Sequence, residues 1–187
     1  MTQELQGAID CDLHPRLPTP KALSAHMDEF WRDTVEVRGI DVWDSMAYPA
    51  NAPFTVRPDW RQARADANAA SLAAATLDRF AFKHGILNCL FPVQTFRDEN
   101  LGAAFARATN DWIRREWLDK DPRLRASLVL PIQSPARSVE EIERLAGDPR
   151  FVQVLALAMG ETPLGKPRYW PIYAAAEKHG FALGIHA

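Results

Sequence analysis

Residues 9–14 read Ile-Asp-Cys-Asp-Leu-His, and this hexapeptide decides how the rest of the chain is read. Side chains alternate across a strand, so Asp10, Asp12 and His14 are expected on one face and Ile9, Cys11 and Leu13 on the other. Three ionisable groups on one face are costly in a dry core. The cost disappears where that face lines a barrel mouth with a metal at its end. Asp12 and His14 then stand at the C-terminal end of the first strand, where barrels carry their chemistry.

Four more short apolar runs follow, at 86–91, 126–130, 151–157 and 181–185. Near-continuous runs of this kind suit strands buried on both faces of a parallel sheet. Helical stretches separate them. Trp60, Ala63, Ala67, Ala70, Ala74, Leu77 and Ala81 step by three or four, with Gly85 as the expected stop. Leu101, Phe105, Ala108 and Trp112 repeat the pattern until Asp121-Pro122 ends it. Ser138 to Glu141 reads as a capping box opening a short helix that stops at Gly147. Trp170-Pro171 opens another, which Gly180 closes. The resulting order, β-α-β-α-β-α-β-α-β, predicts a parallel α/β arrangement with right-handed crossovers.

The last run repeats the logic of the first. Ala182, Gly184 and His186 are expected on one face, and the two small residues leave room before the imidazole for an ion or a substrate. His84 and His179 precede glycines at expected helix ends, where a cation suits the helix dipole. His26 is expected on the surface. Residues 15–58 interrupt the rhythm with a helix expected from Thr19-Pro20 through Trp31, then a proline-bearing irregular segment. A long excursion from the C-terminal end of a strand is typical of lids and substrate loops. Within it, Arg57 is the candidate for a substrate carboxylate, since arginine suits bidentate contact. Trp43, Tyr48 and Phe54 either line a pocket or pin the loop down.

The 187 residues are 47% hydrophobic and 25% charged, with a net charge of −2. That composition belongs to a globular domain, not a disordered one. It offers no electrostatic footprint for nucleic acid or an anionic membrane. No window approaches the 18 apolar residues of a membrane span, and the first ten residues lack the marks of a signal peptide, so a cytoplasmic location is expected. Cys11 and Cys89 are expected to be buried thiols, not a disulfide. The length holds one core but falls short of the ~250 residues of a complete eight-stranded α/β barrel.

The 9–14 opening, the pair Trp112 and Trp117, the 169–180 segment Tyr-Trp-Pro-Ile-Tyr-Ala-Ala-Ala-Glu-Lys-His-Gly and the closing Ile185-His186 resemble the amidohydrolase superfamily. The resemblance is to the amidohydrolase-related branch of aminocarboxymuconate-semialdehyde decarboxylase and other aromatic-acid decarboxylases. It implies an α/β fold of the (β/α)8 TIM-barrel type, incomplete, with about five strands and four crossover helical regions. Residues 1–187 are then a single barrel domain truncated at its C-terminal end.

Carried over by that resemblance, the first-strand metal pair falls on Asp12 and His14 and the fifth-strand ligand on His186. A further His after strand six and an Asp after strand eight, the expected proton handler, have no counterpart in these residues. Asp12 stands where many members have His and offers a harder, charged donor. A divalent ion is implied, zinc ahead of manganese. The leading functional expectation is a metal-dependent hydrolase of a small carboxylated aromatic or cyclic substrate. The alternative is a non-oxidative decarboxylase of an aromatic or cyclic acid on the same site. From another class comes a non-catalytic α/β binding domain; a doubly wound nucleotide fold is disfavoured because no strand is followed by GxGxxG. Open edges at strands one and five predict an oligomer, with a homodimer as the candidate, and no turnover by this length of chain alone.

Overall fold

The five apolar runs become five parallel strands lying side by side in chain order. They are β1 (Ile9–Leu13), β2 (His84–Leu87), β3 (Leu124–Val129), β4 (Phe151–Leu157) and β5 (Ala182–His186), in a computed structural model that describes residues 7–41, 67–158, 160 and 162–186. Sequential order without reversal is the product of repeated right-handed βαβ units, and the sheet is half of a (β/α)8 barrel. The described α-helices are α1 (Pro20–Ser24), α2 (Glu29–Val37), α3 (Ala69–Ala73), α4 (Glu99–Ile113), α5 (Pro135–Leu145) and α6 (Trp170–Lys178), and π-helical turns continue α3 over Ala74–Asp78 and α4 over Arg114–Leu118. None of them is long and apolar enough to cross a membrane.

The core lies between the sheet and its helices. Leu77, Phe105, Ile113, Trp117, Leu128 and Ile142 are fully buried there. A smaller apolar group, Leu90, Leu155 and Leu157, forms a separate cluster. Register places Leu155 beside Gly184 and Leu157 beside His186, so this cluster and the β5 histidine share the inner face. The outward residues of β5, Leu183 and Ile185, are exposed, as is Ile9 on β1.

Several local expectations change, each for a structural reason. The helix expected to end at Gly85 turns at Ala81, which adopts a φ of 55°. Gly85 instead lies inside β2, where a Cβ would run into the Leu13 side chain and sit 3.0 Å from Leu77 Cδ2. Its role is close packing, not helix termination. His84 is likewise a strand residue, with Nδ1 3.1 Å from the Arg123 carbonyl. Ser138 is not a cap: α5 starts at Pro135, and Ser138 and Glu141 are buried within it. Glu141 accepts from Asn110 Nδ2 at 2.7 Å, tying α5 to α4, and from Nε and one outer nitrogen of Arg144. The helix expected through Trp31 divides in two, because Asp28 turns extended and caps Trp31 N of α2 at 3.0 Å. Residues 42–66 lie outside the described residues, and with them Trp43, Tyr48, Phe54, Arg57 and the start of the helix expected from Trp60.

The N-terminal ends of β3 and β4 carry the same device. Asp121-Pro122-Arg123 and Asp148-Pro149-Arg150 each precede a strand. In both, the aspartate takes the arginine's backbone N–H, its Nε and an outer nitrogen. The remaining arm reaches an aspartate from the chain leading into the preceding strand: Arg123 to Asp78 at 2.7 Å and Arg150 to Asp119 at 2.5 Å. Each clamp thus links neighbouring βα units. Hydrogen bonds from the arginines hold the Asp121 and Asp148 carboxyls below the ordinary carboxylate range.

Candidate metal centre

The site starts from an irregularity in β1. Asp10 pairs with Gly85 and Leu13 with Leu87, so three steps on β1 oppose two on β2. This is a bulge of one residue, rare between parallel strands and often found where a side chain must be re-aimed. Gly85 and Leu87 share a face, so Asp10 falls on the side of Leu13, opposite Asp12 and His14. Strict alternation, which put all three ionisable residues together, therefore fails at Asp10. Its carboxylate accepts from the Asp12 backbone N–H at 3.1 Å, supporting the bulge from within.

Past the bulge, Asp12 and His14 meet His186 from the far edge of the sheet. One ligand atom from each lies within 4.8 Å of the others. Asp12 Oδ1 is 3.3 Å from His14 Nε2 and 3.6 Å from His186 Nε2. The two rings are edge-to-face, with centroids 5.1 Å apart and an interplanar angle of 85°. The imidazoles are recessed, at 30% and 22% side-chain exposure, while Asp12 is 59% exposed at the mouth. Bonds of about 2.0–2.2 Å to one ion put neighbouring donors about 3–3.6 Å apart, so this donor set fits a divalent cation. Two imidazoles and a carboxylate suit Zn²⁺ or Mn²⁺. His14 Nδ1 lies 3.1 Å from the Asn88 carbonyl. A carbonyl only accepts, so the proton sits on Nδ1 and the Nε2 lone pair faces the other ligands.

Beneath the triad lies a belt of neutral polar side chains, one from or just past each central strand. Asn88, just past β2, donates from Nδ2 to Asp12 Oδ1 at 2.8 Å and to the Cys11 carbonyl at 3.0 Å. Its Oδ1 accepts from Ser127 Oγ of β3 at 2.5 Å and from Gln153 Nε2 of β4 at 3.0 Å. Gly184 of β5 completes the row: a Cβ there would stand 2.9 Å from Gln153 Nε2. The smallness of the His186 face therefore makes room for Gln153. Sequence reading passed over Asn88, Ser127 and Gln153. Their signal was a lone polar residue in each of three apolar runs, which an unlined core strand does not need.

The other expected residues fall elsewhere. His179 Nε2 pairs with Glu143 at 2.8 Å, and Gly180 closes α6 with a φ of 72°. His26 is partly exposed, and burial lowers its pKa. Both thiols are free, but only Cys89 is buried, its pKa pushed up to about 12 by burial; Cys11 is exposed.

Comparison with known proteins agrees with this architecture. A curated relative, the gamma-resorcylate decarboxylase of a Rhizobium strain, is 31% identical over 101 residues, covering 50% of this chain and 31% of that one. The crystal structure of 5-carboxyvanillate decarboxylase from Novosphingobium aromaticivorans, complexed with manganese and 4-hydroxy-3-methoxy-5-nitrobenzoic acid, aligns with a TM-score of 0.67 at 20% identity, over 100% of this chain and 53% of that chain. A dihydroxybenzoic acid decarboxylase from Polaromonas, with bound manganese and the inhibitor 2-nitroresorcinol, aligns with a TM-score of 0.66 at 20% identity, over 97% and 49%. Both structures hold manganese, where the sequence reading put zinc first. This chain spans about half the length of these solved structures and about a third of the curated relative. The amidohydrolase family model matches residues 9–187, and the chain belongs to that family.

Proposed function

We propose that this chain supplies the metal-holding half-barrel of a divalent-metal-dependent, non-oxidative decarboxylase of a hydroxylated aromatic acid. The observation that carries the reading is the convergence of Asp12, His14 and His186 at the C-terminal mouth of the half-barrel. The named activities of the relatives support decarboxylation over the hydrolysis that the sequence alone put first. Asp12, His14 and His186 are the ligands in this reading, with manganese preferred to zinc. Arg57 is the substrate-carboxylate candidate, and the location is cytoplasmic.

The bound ion would supply a fixed positive charge that orients an acidic phenol or carboxylate and stabilises charge developing on the ring. The chain's own residues prepare for that. His14 holds its Nε2 lone pair inward, because its Nδ1–H is spent on the Asn88 carbonyl. His186 stands over Gly184 and Gln153, which keep the floor of the mouth polar. Leu90, Leu155 and Leu157 give that inner face an apolar flank for an aromatic ring. Decarboxylation needs a proton delivered to the ring carbon that CO₂ leaves, and none of these residues is assigned that transfer.

The test is a Mn²⁺-loaded assay of the protein against hydroxybenzoates and against amide, ester and lactone analogues. The reading expects Mn²⁺ uptake by this chain and, wherever turnover occurs, CO₂ release with a C–H bond formed at the ring carbon that CO₂ leaves. Hydrolysis without CO₂ release favours the other enzymatic reading. An absence of both, together with no metal uptake, favours a binding domain.

A further inference from the structure

Resting on the metal reading above, we propose that Asn88 is the positioning residue of the centre, aiming both β1 ligands at once. Asn88 bonds to the bulged segment four times. Its backbone N–H donates to the Leu13 carbonyl at 2.7 Å and its carbonyl receives the His14 Nδ1 proton at 3.1 Å. Its Nδ2 donates to the Cys11 carbonyl at the bulge and to Asp12 Oδ1 at the ligand position. The main chain of one residue thus sets the tautomer of His14, while its side chain sets the rotation of Asp12.

The amide is itself held. Asn88 is buried, and all of its side-chain hydrogen-bonding capacity is used: two protons toward β1, two lone pairs toward β3 and β4. The Cys11 carbonyl and the Asp12 carboxylate can only accept, which decides that the NH₂ end faces β1. One lone pair of Asp12 Oδ1 is engaged by Asn88, leaving the other turned toward the two Nε2 atoms. Asp12 is mostly exposed, and an exposed carboxylate without such a tether samples several rotamers. A tether that selects one of them improves metal affinity without touching the metal, as partners behind metal ligands commonly do.

The measurement is the Mn²⁺ dissociation constant, read from the free-ion EPR signal, with the Tm of the metal-free protein recorded alongside. Asn88→Ala and Asn88→Asp are expected to weaken Mn²⁺ binding about 10- to 100-fold, with a changed EPR line shape for the bound ion. Asn88→Asp keeps the size and the Oδ1 acceptor but sets a carboxylate oxygen against Asp12. Gln153→Leu loosens the amide from the far side and is expected to weaken binding by a smaller factor, about 3-fold. It decides the matter should either Asn88 variant fail to fold. Folded Asn88 variants, or Gln153→Leu in their place, that bind Mn²⁺ like the wild type with an unchanged line shape overturn the positioning role alone. A wild-type protein that binds no Mn²⁺ overturns the metal reading, and the positioning role with it.

Discussion

The two ends of the same five strands use charge in opposite ways. At the N-terminal end, Asp121 and Asp148 are each wrapped by an arginine two residues on, whose free arm crosses to the neighbouring unit. At the C-terminal end, Asp12 faces two imidazoles and an amide, groups that can remain neutral. The lower arrangement satisfies its carboxylates permanently and fastens one βα unit to the next. The upper one gathers donors whose lone pairs point at a common space. Barrels separate stability and chemistry between their ends in just this sense.

The largest expected effect breaks the upper end alone. His14→Ala or His186→Ala should weaken Mn²⁺ binding by about 100-fold or more, with the Tm of the metal-free protein nearly unchanged. Isothermal titration with a chelator competitor, beside a thermal melt, checks both halves of that statement. A fall in Tm of many degrees in the metal-free variants would mean that the histidines serve the fold.

A smaller effect tests the lower end. Arg123→Ala and Arg150→Ala should each cost about 1 kcal/mol of stability, since these pairs are partly open to solvent, and should leave Mn²⁺ affinity as it was. Urea denaturation with constant m-value reads the loss. The two positions precede different strands, and their double variant should lose close to the sum if the clamps act independently.

The smallest effect is one of pH. The Asp121 and Asp148 carboxyls lie below their ordinary value of 3.8 when folded. Between the folded and unfolded values the unfolded chain binds more protons, so stability rises with pH there. The contribution is complete above about pH 5 and is lost as pH falls through the lowered folded values. Acid unfolding of Arg123→Ala and Arg150→Ala should therefore show a shallower pH dependence below about pH 4 than the wild type.

The upper end was the more legible of the two in sequence. Asp12, His14 and His186 stand out because ionisable residues at the ends of apolar runs need a reason, and β4 spans Phe151–Leu157 as its run predicts. What escaped depends on register or on partners distant in sequence. The β1 bulge is a relation between two strands 74 positions apart, so Asp10 was assigned the wrong face. Asn88 was read as strand interior because the run at 86–91 looks continuous, whereas β2 ends at Leu87. Ser138 and Glu141 match a capping box locally, but Glu141 is committed to Asn110 and Arg144. Gly85 followed a helical pattern and so resembled a stop, yet its requirement is the Leu13 side chain pressed against it. Asp121-Pro122 was read only as a helix end and Asp148-Pro149-Arg150 was passed over; the cross-unit aspartates, Asp78 and Asp119, reveal the use of both.

The central claim is that two edges of the half-barrel meet at one metal centre. An anomalous-difference map from crystals of the protein grown with Mn²⁺ tests it most directly. The account predicts one strong peak bonded to Asp12 Oδ1, His14 Nε2 and His186 Nε2. No peak among those three atoms, with the protein otherwise folded as described, would contradict it.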